Sequence, residues 1–113
     1  MTDNQIWAYR IDDHDGTPTV ALTGELDLAA ADELRAILTA QLDRPATTGV
    51  TADLSGVTFM DSAALGALIA AFQHAAATNH TFVITDAPRG VRRIMEIAGI
   101  YDILTGEAPH LGE

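Results

Sequence analysis

Short β-favouring runs alternate with amphipathic stretches of helical period, and this alternation restricts the fold more than any other feature. "TPTVALTG" (17 to 24) is followed by Leu28 to Leu42, where Leu34, Ile37, Leu38 and Leu42 recur at helical spacing with Asp32, Glu33, Arg35 and Gln41 between them. "VTADL" (50 to 54) reads as a short strand ending in a Ser-Gly turn. A second helix begins near Asp61 or Ser62 and carries Leu65, Leu68, Ile69 and Phe72 at i, i+3, i+4 and i+7, with an opposite face that is almost all alanine. "TFVIT" (81 to 85) has the compact form of a buried strand, and Pro88 suits the first turn of a third helix striped by Val91, Ile94, Met95 and Ala98 and stopped at Gly99. Strands separated by helices require crossover connections, hence parallel pairing. "QIWAYRID" (5 to 12) and the turn residues of "DHDG" add an antiparallel hairpin at one end. The tail "IYDIL" reads as a possible last short strand, giving an α/β fold with a mixed, mostly parallel sheet of four to five strands.

A chain of 113 residues fits one domain, and 48% hydrophobic residues supply its core. The expectation is a single domain over 1–113, with its core at about 5–105 and 106–113 as a loose tail. Sixteen acidic side chains stand against six arginines and no lysine, for a formal charge of -10. Such a surface repels phosphate backbones and anionic headgroups, which argues against nucleic-acid or membrane-surface binding. No basic segment followed by an apolar one opens the sequence, and no apolar run approaches the roughly 18 residues of a membrane span, so a cytoplasmic location without membrane insertion is expected.

The usual catalytic signatures are missing. There is no cysteine, so thiolate chemistry and cysteine-based zinc sites are excluded. His14, His74, His80 and His110 are scattered and read as surface residues; no P-loop or G-x-G-x-x-G occurs, so no cofactor is expected. A phosphate-accepting receiver domain relies on a lysine, which this chain lacks, so Asp53 reads as a strand-end or turn residue. "DSAALG" has no G-x-S-x-G elbow and no histidine nearby in sequence; a partner brought in by the fold stays open. Arg89, Arg92 and Arg93, the one basic cluster, read as a solvated face, and Trp7 as packing at the sheet edge.

"FMDSAALGALIAA" (59 to 71) holds the most informative position, Ser62. Either Asp61 or Ser62 suffices as an N-cap, because either oxygen can accept the free amides of a first helical turn. Capping is the plain explanation of Ser62. The second polar residue is then left over, and an exposed serine at a helix start, flanked by small residues, has the character of a phosphoacceptor, since the amide dipoles there favour a phosphate dianion.

"TGELDLAAADEL", "DLSGVTFMDSAALGAL" and "PRGVRRIMEIAGIYDIL" together resemble the STAS domain of the anti-sigma factor antagonist family, over about residues 18 to 105. Thr23 to Asp27 resembles the family's "TGELD", Met60 to Gly66 its "MDSSGLG" phosphorylation loop, and Gly99 and Ile100 its "GL"-type turn. The resemblance implies a STAS-type fold, with helices packed mainly on one face of the sheet. It also implies a non-enzymatic partner switch. The unphosphorylated antagonist binds an anti-sigma factor that is an ATP-dependent serine kinase, which frees the sigma factor; phosphorylation releases the antagonist. Carried over by position, Ser62 is the phosphoacceptor, and Asp27, Asp61, Ser62, Ala63, Ala64 and Gly66 form the partner-binding surface. ATP and magnesium belong to the partner. Ala63 and Ala64 replace the family's usual Ser or Thr and Gly: the first removes a competing hydroxyl, and the second sets a methyl where a kinase would approach. The other role this resemblance allows is an unphosphorylated STAS interaction module, such as an accessory subunit of a lipid-transport complex.

Overall fold

The computed structural model describes residues 6–13 and 16–106. Within them the order is β1 (Trp7–Asp12), β2 (Thr19–Leu26), α1 (Leu28–Leu42), β3 (Gly49–Met60), α2 (Ser62–Ala77), β4 (Thr81–Thr85), α3 (Arg89–Ile97) and α4 (Tyr101–Thr105). The strands form one four-stranded sheet in the order β1-β2-β3-β4. β1 pairs antiparallel with β2, while β2–β3 and β3–β4 are parallel. The hairpin and the three helices read from periodicity are all present. The proposed tail, beyond residue 106, and the interior of the "DHDG" turn lie outside the described residues, as do His14 and His110.

Two consecutive crossovers of the same hand place α1 and α2 on one face of the sheet, packed against each other. Alternation along the strands builds the other side of that core. Val20, Ala52 and Ile84 are in register across β2, β3 and β4, and all three are buried. Their sequence neighbours Ala21, Asp53 and Thr85 form the next row, turned to the opposite face and only half-buried. Leu34, Leu38 and Leu42 of α1 and Leu68 and Ala71 of α2 have no exposed surface. Each leucine so buried contributes about 1.5–3 kcal/mol through removal of its apolar area from water. The alanine-rich face of α2 is part of this interior: Ala64, Ala67, Ala71 and Ala75 are buried, which lets α1 lie close alongside. Trp7 is buried on the edge strand β1, stacked on Tyr9 with ring centroids 6.0 Å apart.

Two expectations are corrected. The strand beginning "VTADL" does not end at a Ser-Gly turn; β3 continues to Met60 because β2 extends beyond it and offers pairing partners as far as Leu26. The apparent turn is absorbed as a bulge, with a register shift between Ala21 and Thr23 and the Ser55 N–H donating to Asp53 Oδ1 at 2.9 Å. Asp53 therefore lies inside a strand. "IYDIL" forms the short helix α4 and not a fifth strand. Period-two alternation would set Asp102 on the same face as Ile100 and Leu104. The helix instead buries Leu104, leaves Asp102 exposed, and places Tyr101 under the Arg92 guanidinium at 4.7 Å from the ring centroid.

Gly24 is set by the hairpin. Its φ is +90°, and a Cβ there would meet the Ile6 carbonyl oxygen and come within 2.8 Å of Trp7 Cα. Ile6 cannot withdraw cheaply, since its carbonyl accepts the Glu25 N–H at 3.1 Å. Gly24→Ala is expected to cost about 2–4 kcal/mol through backbone strain and crowding, read as a lowered midpoint in urea denaturation.

Candidate functional site

β2 and β3 end side by side, with Leu26 paired to Met60. One residue after each strand a helix begins, so the N-termini of α1 and α2 are neighbours at the same end of the sheet. The single connecting residues are Asp27 and Asp61. Both have extended backbones, and each caps the helix that follows it. Asp27 Oδ1 accepts the Ala29 N–H at 3.0 Å.

Asp61 does more. Its Oδ1 accepts the Ala64 N–H of its own helix at 3.0 Å, and its Oδ2 accepts the Leu28 N–H, the first amide of α1, also at 3.0 Å. One carboxylate is thus shared between two helix starts, and the Leu28 amide it accepts lies 33 residues from Asp61 in sequence. The backbone reinforces the link, with the Asp61 N–H donating to the Leu26 carbonyl at 3.1 Å. A negative charge at the meeting point of two helix dipoles is favourable to both.

This arrangement decides what Ser62 does locally. Asp61 is the cap, and Ser62 is the first residue of α2. Ser62 is exposed, and its hydroxyl makes no hydrogen bond within the described residues. Around it, Ala63 is half-buried and Gly66 is exposed, with nothing within 4 Å of where a Cβ would stand. Ala64 is fully buried and so contributes no side-chain surface to a partner. Its methyl turns into the core. Asp27 and Asp61 are half-buried, their carboxylates held by amides at the edge of the serine's surroundings.

Neither described histidine accompanies the hydroxyl. His74 lies twelve positions along α2, about 18 Å from Ser62 by helical rise, with its Nε2 2.7 Å from Asp43 Oδ1 beyond the end of α1. His80 is bonded to Thr78 past the end of the same helix. No group of three or more histidine or acidic side chains among the described residues could hold a metal ion, and no helix among them is long and apolar enough to cross a membrane. The basic cluster on α3 is partly engaged, with Arg92 bonded to Glu96 at 2.8 Å. Sequence reading passed over Leu28. It sits at the first position of α1 and is 75% exposed, beside the Asp61 carboxylate that its amide contacts. The available signal was its place six residues before Leu34, off the buried stripe of the helix.

Four substitutions separate structural from surface roles. Asp61→Ala removes both carboxylate acceptors and is expected to lower stability by about 2–3 kcal/mol in urea denaturation, with Asp61→Asn intermediate because an amide retains one acceptor. Ser62→Ala should change stability by less than about 0.5 kcal/mol. Gly66→Ala should raise it by about 0.5–1 kcal/mol, since the added methyl meets open space and helix propensity improves.

A family model described as "Mlab, STAS domain" matches residues 9–105. An anti-sigma F factor antagonist of Paenibacillus polymyxa is 25% identical over 91 residues, covering 80% of this chain and 78% of that protein. The fold superposes on an anti-sigma factor antagonist from Mycobacterium paratuberculosis with a TM-score of 0.78 at 24% identity, covering 98% of this chain and 92% of that one. SpoIIAA of Bacillus in its phosphorylated form gives 0.70 at 20% identity, covering 91% and 93%. The paired strand ends, the two capped helices and the match across nearly the whole described chain agree: the chain belongs to the STAS domain family.

Proposed function

We propose that this domain is an anti-sigma factor antagonist that binds a serine-kinase anti-sigma factor through the surface around Ser62, frees the sigma factor held by that partner, and is released when Ser62 is phosphorylated. The observation that carries this reading is the division of labour at the start of α2. Asp61 supplies the cap, so the Ser62 hydroxyl stands exposed and unbonded, free to be modified without loss of a structural contact. The relatedness to anti-sigma F factor antagonists supports the same role. On this reading the domain is a substrate and ligand, not an enzyme. It works in the cytoplasm, where the transcription machinery is, and the partner brings ATP, magnesium and the catalytic base.

In the transfer, the Ser62 Oγ attacks the γ-phosphorus of ATP, the bond to the β-phosphate oxygen breaks, ADP leaves, and the hydroxyl proton passes to the partner's base. The product carries about -1.5 to -2 charges on Oγ. The amides of Ser62 and Ala63, the first two of α2, are left free by Asp61 and offer donors to that phosphate. The fold therefore tolerates the phosphate, whereas the complex does not. An acidic partner group about 5 Å away is repelled by on the order of 3 kcal/mol per unit charge at an effective dielectric near 20, roughly two decades in affinity.

Ser62→Ala is expected to retain partner binding and accept no phosphate. Ser62→Asp should bind more weakly, and protein stoichiometrically phosphorylated at Ser62 should bind at least about a hundredfold more weakly than unmodified protein, as read by calorimetric titration. Equal affinity of the modified and unmodified forms would contradict the switch. Stable association with a transporter ATPase, indifferent to Ser62, would instead support the accessory-subunit role in a lipid-transport complex.

A further inference from the structure

We infer that Leu28 is the apolar anchor of this docking surface, seating in an apolar pocket of the anti-sigma factor whose rim is basic; the inference rests on the function proposed above. A leucine 75% exposed at the first position of a long helix contributes nothing to the core on its own side. Its backbone is tethered, because its amide donates to Asp61 Oδ2 at 3.0 Å. Asp61 also caps the helix that Ser62 begins, so the two side chains project from one rigid junction. An apolar side chain on a tethered backbone binds without the cost of ordering that backbone, which suits an interface anchor.

The chemistry of the pocket follows from what surrounds Leu28. Asp27 precedes it, Asp61 holds its amide, and Asp32, exposed one helical turn further on, lies on the same face of α1. With a formal charge of -10 on the chain, these acids favour arginine or lysine around the apolar contact. The basic groups belong on the α1 side of Leu28, beside Asp27 and Asp32, and the acidic group that repels phosphate belongs on the α2 side, beside Ser62. The surface is therefore bipartite: Leu28 supplies affinity and Ser62 supplies the switch.

The test is transfer of phosphate from ATP to Ser62 in soluble extract of the native cells, followed by intact mass with fragment mapping. Wild type is compared with Leu28→Ala, Leu28→Asp and Ala40→Asp. The last adds the same charge at an exposed position of α1 about 18 Å away by helical rise. Leu28 is exposed, so both of its variants should melt within a few degrees of wild type by circular dichroism. At limiting substrate, Leu28→Ala should be phosphorylated about tenfold more slowly and Leu28→Asp more slowly still, while Ala40→Asp stays within about twofold. Raising the substrate concentration should restore the Leu28→Ala rate, since an anchor acts on KM and not on transfer. Efficient phosphorylation of wild type and both Leu28 variants alike would overturn the anchor and leave the proposed function intact. Wild type that never gains phosphate at Ser62 would remove the proposed function and this inference together.

Discussion

The Asp61 carboxylate organises this end of the molecule. Parallel strands β2 and β3 deliver two helix N-termini to one place, and each terminus brings unsatisfied amides and partial positive charge. Left alone, the two ends would repel each other and compete for solvent. A single carboxylate accepting Ala64 N–H with one oxygen and Leu28 N–H with the other answers both demands. The bond to Leu28 is tertiary. It ties the β2–α1 connection to the β3–α2 connection and sets the relative position of everything that projects from either.

The freedom of Ser62 is a consequence of that bond. A serine in the capping position would have its hydroxyl committed to the helix, and modification would then break a structural contact. With the aspartate in that role, the hydroxyl one residue later is surplus to the fold. The same logic locates Leu28, an aliphatic side chain on a fixed backbone with no core to enter. Small residues complete the arrangement: Ala64 fills space beneath the first turn, and Gly66 keeps the outer surface low.

Much of this was legible in the sequence, because it depends on local periodicity. The stripe of Leu34, Leu38 and Leu42, the compact apolar run in "TFVIT", and the stop at Gly99 each mark an element that the fold then forms. The strand through Ser55 and Gly56 was not legible. Those residues favour a turn by themselves, and only the partner strand β2 draws them into the sheet through a bulge. "IYDIL" carries strand-forming side chains, but its helical state depends on where Leu104 and Tyr101 find contacts in the tertiary structure. At the site, the residue types were plain while their roles were not: choosing between Asp61 and Ser62 as the cap requires the geometry, and the bond from Asp61 to Leu28 spans two connections that only the folded sheet brings together.

The central claim is that Ser62 is a modification point placed outside the structural hydrogen-bond network. The direct measurement is intact-mass spectrometry with fragment mapping on this protein isolated from its native cells, with and without phosphatase treatment, across growth and stress conditions. The account predicts a population carrying a single phosphate, on Ser62, that phosphatase removes. Uniformly unmodified protein under every condition, or phosphate confined to another residue, would contradict it.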